Sequence, residues 1–193
     1  MATEADFYLL SAEGLRGALV LRCPDFECIQ DEFALLRGKE RHAKPIPFER
    51  HTGGVARDLV ATSLAVPYLV SPAFVSVLRE AKITGWDTYP VDARGKDGVA
   101  LDGYVGLIVT GAGPAVDNSR SVKLERPAES GGRLVTAWVG LCFDVDRWDG
   151  SDMFVPEDSG YILTTEYAME CLTAAGLTNL RFRKTTEVER LAL

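Results

Sequence analysis

Late in the chain, Asp144, Asp146, Asp149 and Asp152 gather around Trp148. Carboxylates spaced along a loop suit Ca²⁺. An EF-hand would need an oxygen donor where Trp148 stands and a Glu at the twelfth loop position, which Val155 occupies. With Glu157 and Asp158 added, six carboxylates face the single cation Arg147. That composition fits a surface for a basic protein partner, because Trp anchors interfaces and charge complementarity selects partners. The plainer alternative is a solvated acidic loop with Trp148 turned into the core. Asp144, Asp146, Trp148, Asp149 and Asp152 are therefore the partner-binding candidates, and neither metal nor cofactor is expected.

The only histidines, His42 and His51, lie in a basic stretch over residues 37–57. Arg37, Lys39, Arg41, Lys44, Arg50 and Arg57 outnumber Glu40 and Glu49 there. A histidine base needs a nucleophile in reach and a carboxylate to orient it. The nearest thiols are Cys23 and Cys28, and their spacing to the histidines fits no usual zinc pattern. No catalytic residue is expected. Pro45, Pro47, Gly53 and Gly54 predict an exposed loop for this stretch. Gly111-Ala112-Gly113 has the look of a phosphate cradle, but such loops run into a helix, and Pro114 to Ser119 reads as turn. A hairpin turn is predicted instead.

These candidates must be held by ordinary globular material. A chain of 193 residues, 47% hydrophobic and 25% charged, suits one domain over 1–193. A net charge of -7 argues against a general nucleic-acid binder and against an anionic membrane surface. The N-terminus shows no basic leader before an apolar run, and no apolar segment approaches the roughly 20 residues that span a bilayer. Cys23, Cys28, Cys142 and Cys171 are few and scattered, and apolar surroundings mark the last two as buried thiols. A cytoplasmic setting is expected.

Strands are predicted near 6–10, 18–21, 66–70, 86–91, 104–110, 119–124 and 134–143, with loop over 126–132. Ser71-Pro72 opens a helix whose apolar face is Phe74, Val77, Leu78 and Ala81. Residues 161–184 read as strand, helix and strand. Thr164 or Thr165 caps a helix with Ala168, Cys171, Leu172 and Ala175 on one face, and Gly176 ends it. Leu180 to Arg183 then alternates apolar and charged.

The stretches around 66–91 and 159–184 match each other. Tyr68 aligns with Tyr161, Ser71 with Thr164, Phe74 with Tyr167 and Leu78 with Cys171. After a one-residue adjustment, Ile83-Thr84-Gly85-Trp86 falls on Leu177-Thr178-Asn179-Leu180. The predicted fold is α+β: a mixed, largely antiparallel sheet with two packed helices in a duplicated strand-helix-strand module.

The module, with Trp148 to Phe154 before its second copy and Tyr89 to Val91 in its first, resembles bacterial polymorphic-toxin immunity proteins of the myxobacterial-type group. The likeness spans about Pro67 to Lys184. It implies a non-enzymatic protein that binds and blocks a cognate toxin. Some myxobacterial members carry two CxxC pairs. This chain has only Cys23 and Cys28, four residues apart, so the metal-binding form of the family is not implied. The alternatives are a small-ligand-binding or regulatory module on the same scaffold and, last, an enzyme using the loop histidines.

Overall fold

The structure is a computed structural model that describes residues 3–24, 29–40, 42, 44–127 and 134–191. The N-terminal part runs β1 (Phe7–Ala12), β2 (Val20–Arg22), α1 (Glu32–Leu36), β3 (Ile46–Thr52), β4 (Leu59–Thr62), β5 (Tyr68–Val70), α2 (Pro72–Glu80) and β6 (Trp86–Arg94). It continues with β7 (Val105–Val109), β8 (Gly111–Gly113), β9 (Val122–Pro127), β10 (Leu134–Val139) and β11 (Met153–Pro156). The chain closes with β12 (Ile162–Thr165), α3 (Glu166–Ala174), β13 (Leu180–Lys184) and β14 (Glu189–Leu191).

The fold is α+β with mixed, largely antiparallel pairing. The single expected sheet is instead three: a five-stranded sheet β13-β1-β12-β11-β8, a closed barrel β2-β3-β6-β7-β5-β4, and a three-stranded sheet β14-β10-β9. Without β3, the barrel strands run β6-β7-β5-β4-β2, which is the five-stranded order element for element. Registers agree as well. Leu59 faces Val70 as Met153 faces Thr164, and Trp86 faces Val109 as Leu180 faces Ala12. The first strand of each half lies in the other half's sheet: β1 between β12 and β13, and β7 between β5 and β6.

Ser71 Oγ accepts the Phe74 N–H at 3.2 Å, and Thr165 Oγ1 accepts the Ala168 N–H at 3.3 Å. Thr165 rather than Thr164 is thus the cap, which shifts the alignment by one residue. Ser71 corresponds to Thr165, Phe74 to Ala168, Leu78 to Leu172 and Thr84 to Thr178, all at a constant spacing of 94 residues (71 to 165, 84 to 178). No adjustment is needed. Phe74, Val75, Leu78, Ala168 and Leu172 are the residues these helices bury, in one cluster with Leu107, Met153 and Ile162. Tyr167, placed opposite Phe74 by sequence, is instead 51% exposed.

Two expected loops are strands. Within the basic stretch, Ile46 and Phe48 are buried and alternate with Pro47 and Glu49, so β3 closes the barrel. Its first part pairs with β6 and its last part with β2, so Pro47 lies where only one side is hydrogen-bonded. Gly111 and Gly113 form β8, parallel to β11. A Cβ on Gly111 would come within 2.1 Å of the Met153 carbonyl oxygen, and one on Gly113 within 2.7 Å of the Phe154 ring. The glycines admit a neighbouring strand. β9 runs on to Pro127, β10 stops at Val139 before Gly140, and residues 128–132 of the expected loop lie outside the described residues.

Candidate functional site

The acidic segment opens with Asp144, whose Oδ1 accepts the Asp146 N–H at 3.3 Å and caps a 3-10 turn over Val145–Arg147. Trp148 turns inward. Its ring meets Phe7 edge-on at 5.0 Å and Phe154 at 5.7 Å, in a cluster completed by Phe143. Its Nε1–H donates to the Ser151 carbonyl at 3.1 Å. A Trp seated this way helps to position the segment, and it remains half-buried.

Asp149 and Asp152 make internal bonds. Asp149 accepts the Ala112 N–H at 2.7 Å and the Ser151 N–H at 3.0 Å, and it also accepts the Ser151 hydroxyl. Partial burial works against its charge, but these donors outweigh it and hold the carboxyl below the usual carboxylate range. Asp152 accepts the Thr84 N–H at 2.9 Å, the Thr84 hydroxyl at 2.8 Å and the Thr165 hydroxyl at 3.2 Å. Of the four candidate aspartates, Asp146 alone has a carboxylate with no hydrogen bond among the described residues; Asp144 and Asp146 are both exposed.

The site also gains a residue that sequence proximity hides. Glu4 pairs with Arg120 at 2.6 Å, and its carboxylate accepts the Phe143 N–H at 3.4 Å. With Thr3, Asp144 and Asp146 these residues line an open depression of about 270 Å³. No signal in the sequence joins Glu4 to Asp144, because the N-terminus is brought there only when β1 enters the C-terminal half's sheet.

A second carboxylate was missed for a different reason. Asp58, at the 94-residue spacing before Asp152, accepts the Ser71 hydroxyl at 2.7 Å, the Thr178 N–H at 2.8 Å and the Thr178 hydroxyl at 2.7 Å. Each aspartate thus joins the cap of its own half's helix to the threonine that follows the other half's helix. The backbone repeats the pattern: Asp58 N–H donates to Thr178 Oγ1 and Asp152 N–H to Thr84 Oγ1.

His42 Nε2 lies 2.8 Å from Glu40 Oε1, while His51 is exposed on β3. Cys23 is buried, and Cys28 lies outside the described residues. Cys142 and Cys171, expected as buried thiols, are both half-buried. Among the described residues no group of three or more His, Cys, Asp or Glu is placed to hold a metal, and no helix is long and apolar enough to cross a membrane. Compared with models of known protein families and with curated proteins, the chain matches none.

Proposed function

We propose that this chain is a non-enzymatic immunity protein, acting in the cytoplasm, that binds a cognate toxin and blocks it by occlusion. The observation that carries the reading is the mounting of the acidic segment. Trp148 is seated among aromatic rings, Asp149 and Asp152 are tied to Ala112 and Thr84, and Asp144 and Asp146 stand outward with Glu4 beside them. A rigid acidic rim loses little conformational freedom on meeting a basic surface, and its charges speed encounter. The five candidates divide in this proposal: Asp144 and Asp146 contact the partner, whereas Trp148, Asp149 and Asp152 fix their position. We also read the two matched halves as an internal duplication forming one domain over 1–193. The strand exchange supports this, since each half's sheet takes a strand from the other.

Co-expression with the product of the adjacent gene tests the reading. A stable complex and rescue from toxicity are expected. The double charge reversal Asp144→Lys, Asp146→Lys is expected to weaken the complex at least tenfold and to make its affinity less sensitive to salt, because two attractive charges become repulsive. Absence of both complex and rescue would remove the proposal, and an unaffected double variant would move the contact to another face.

A further inference from the structure

The face of the five-stranded sheet turned away from α2 and α3 carries Leu9, Leu163, Phe154 and Arg183 on one rung, because Leu9 pairs with both Leu163 and Arg183. The counterpart of Arg183 at the 94-residue spacing (183 to 89) is Tyr89. That ring packs on Gly106 in the barrel, where β3 adds Phe48 to the same core. Among the described residues no strand takes the place of β3 in the second half. Beside Arg183 lies a cavity of about 370 Å³, lined also by Leu9, Ser11, Phe33, Tyr68 and Tyr161.

Arg183 makes no hydrogen bond or ion pair among the described residues, and its Nε is buried without a partner. The neighbouring Arg37 is committed to the carbonyls of Pro156 and Ser159, and the Glu32 carboxylate is held by the Ala65 N–H. A guanidinium whose Nε is buried and whose fork is unpaired matches a carboxylate, and apolar and aromatic walls match a short tail. The volume falls within the roughly 300–1,000 Å³ of small-molecule pockets. A single cation against so much apolar wall suits a monoanion better than a strongly hydrated phosphate.

We propose that this cavity binds a small carboxylate with a short aromatic or aliphatic tail, the head on Arg183 and the tail against Leu9, Phe33, Tyr68 and Tyr161. The site lies on different residues from the acidic rim and does not depend on the toxin-binding reading. Calorimetric titration of the full chain with 3-phenylpropionate tests it. Saturable binding is expected, with a Kd of roughly 1 mM or tighter for a ligand of this size. The neutral 3-phenylpropanamide and the variant Arg183→Met should each bind at least tenfold more weakly. Phe33 is 39% exposed at the mouth. Phe33→Glu should therefore repel the carboxylate without unfolding the chain, which keeps the test valid if Arg183→Met folds poorly. Equal binding of acid and amide would overturn the proposal. So would unchanged binding by Phe33→Glu, or equal competition from inorganic phosphate.

Discussion

Replacing Asn179 by Ala is expected to lower the unfolding free energy by about 3–5 kcal/mol. Asn179 has φ 65° and is 3% exposed. Its Oδ1 accepts the N–H groups of Gly14 and Leu15 at 3.0 and 3.2 Å, and its Nδ2 donates to the Leu59 carbonyl at 2.8 Å. Alanine would strand these three backbone groups at about 1 kcal/mol each, and a left-handed backbone adds about 1–2 kcal/mol for a residue with a Cβ. Asn179→Gly removes the second cost and keeps the first, so about 2–3 kcal/mol is expected of it. The reverse exchange fails differently. Gly85, the counterpart with φ 83°, has the Met153 carbonyl oxygen 2.0 Å from where a Cβ would sit, so Gly85→Asn destabilises by collision. Urea midpoints of the three variants measure the differences, and a loss below about 1 kcal/mol for Asn179→Ala would refute the account.

Both long helices and the strands around them were legible because local chemistry determines them. Ser71 with Pro72, and Thr165 before an amphipathic run, satisfy helix N-termini by nearby atoms alone. The alignment of the two stretches was off by one, because two adjacent threonines both qualify as caps and only the Ala168 N–H chooses between them. β3 was hidden by its composition. Arginines, prolines and glycines around Ile46 and Phe48 look like loop, and only the barrel shows that two inward side chains suffice for a strand with neighbours on each side. α1 and β4 gave too short a pattern to stand out, at five and four residues.

The acidic segment illustrates the limit for function. Its charge is visible in the sequence, but the division of labour within it is not. Whether Trp148 faces out or in depends on Phe7 and Phe154, and whether Asp149 is free depends on Ala112 in a strand 37 residues earlier. Arg183 is harder still. Alternation marks it as one of several charged residues on a half-buried strand, and only the structure shows that it has no hydrogen-bond partner among the described residues.

Removal of both cross-half aspartates is expected to cost the most. Asp58→Ala and Asp152→Ala each lose three carboxylate hydrogen bonds and leave a helix cap without its support, about 1.5–3 kcal/mol apiece for half-buried groups. The two share no hydrogen-bond partner, so the double variant should lose about 3–6 kcal/mol, close to the sum. Asp58 adds a pH signature. Partial burial opposes its charge, but the bonds from Ser71 and Thr178 prevail and set its carboxyl below the usual range. A depressed folded pKa contributes stability that is complete above the unfolded value of about 3.9 and is lost as pH falls through the folded value. The gap between wild type and Asp58→Ala should therefore be flat from about pH 5 to 7 and narrow below about pH 4. Urea unfolding at about pH 7 and at about pH 3 decides the matter. A gap undiminished in acid would mean that Ser71 and Thr178 are held by something other than an ionised Asp58.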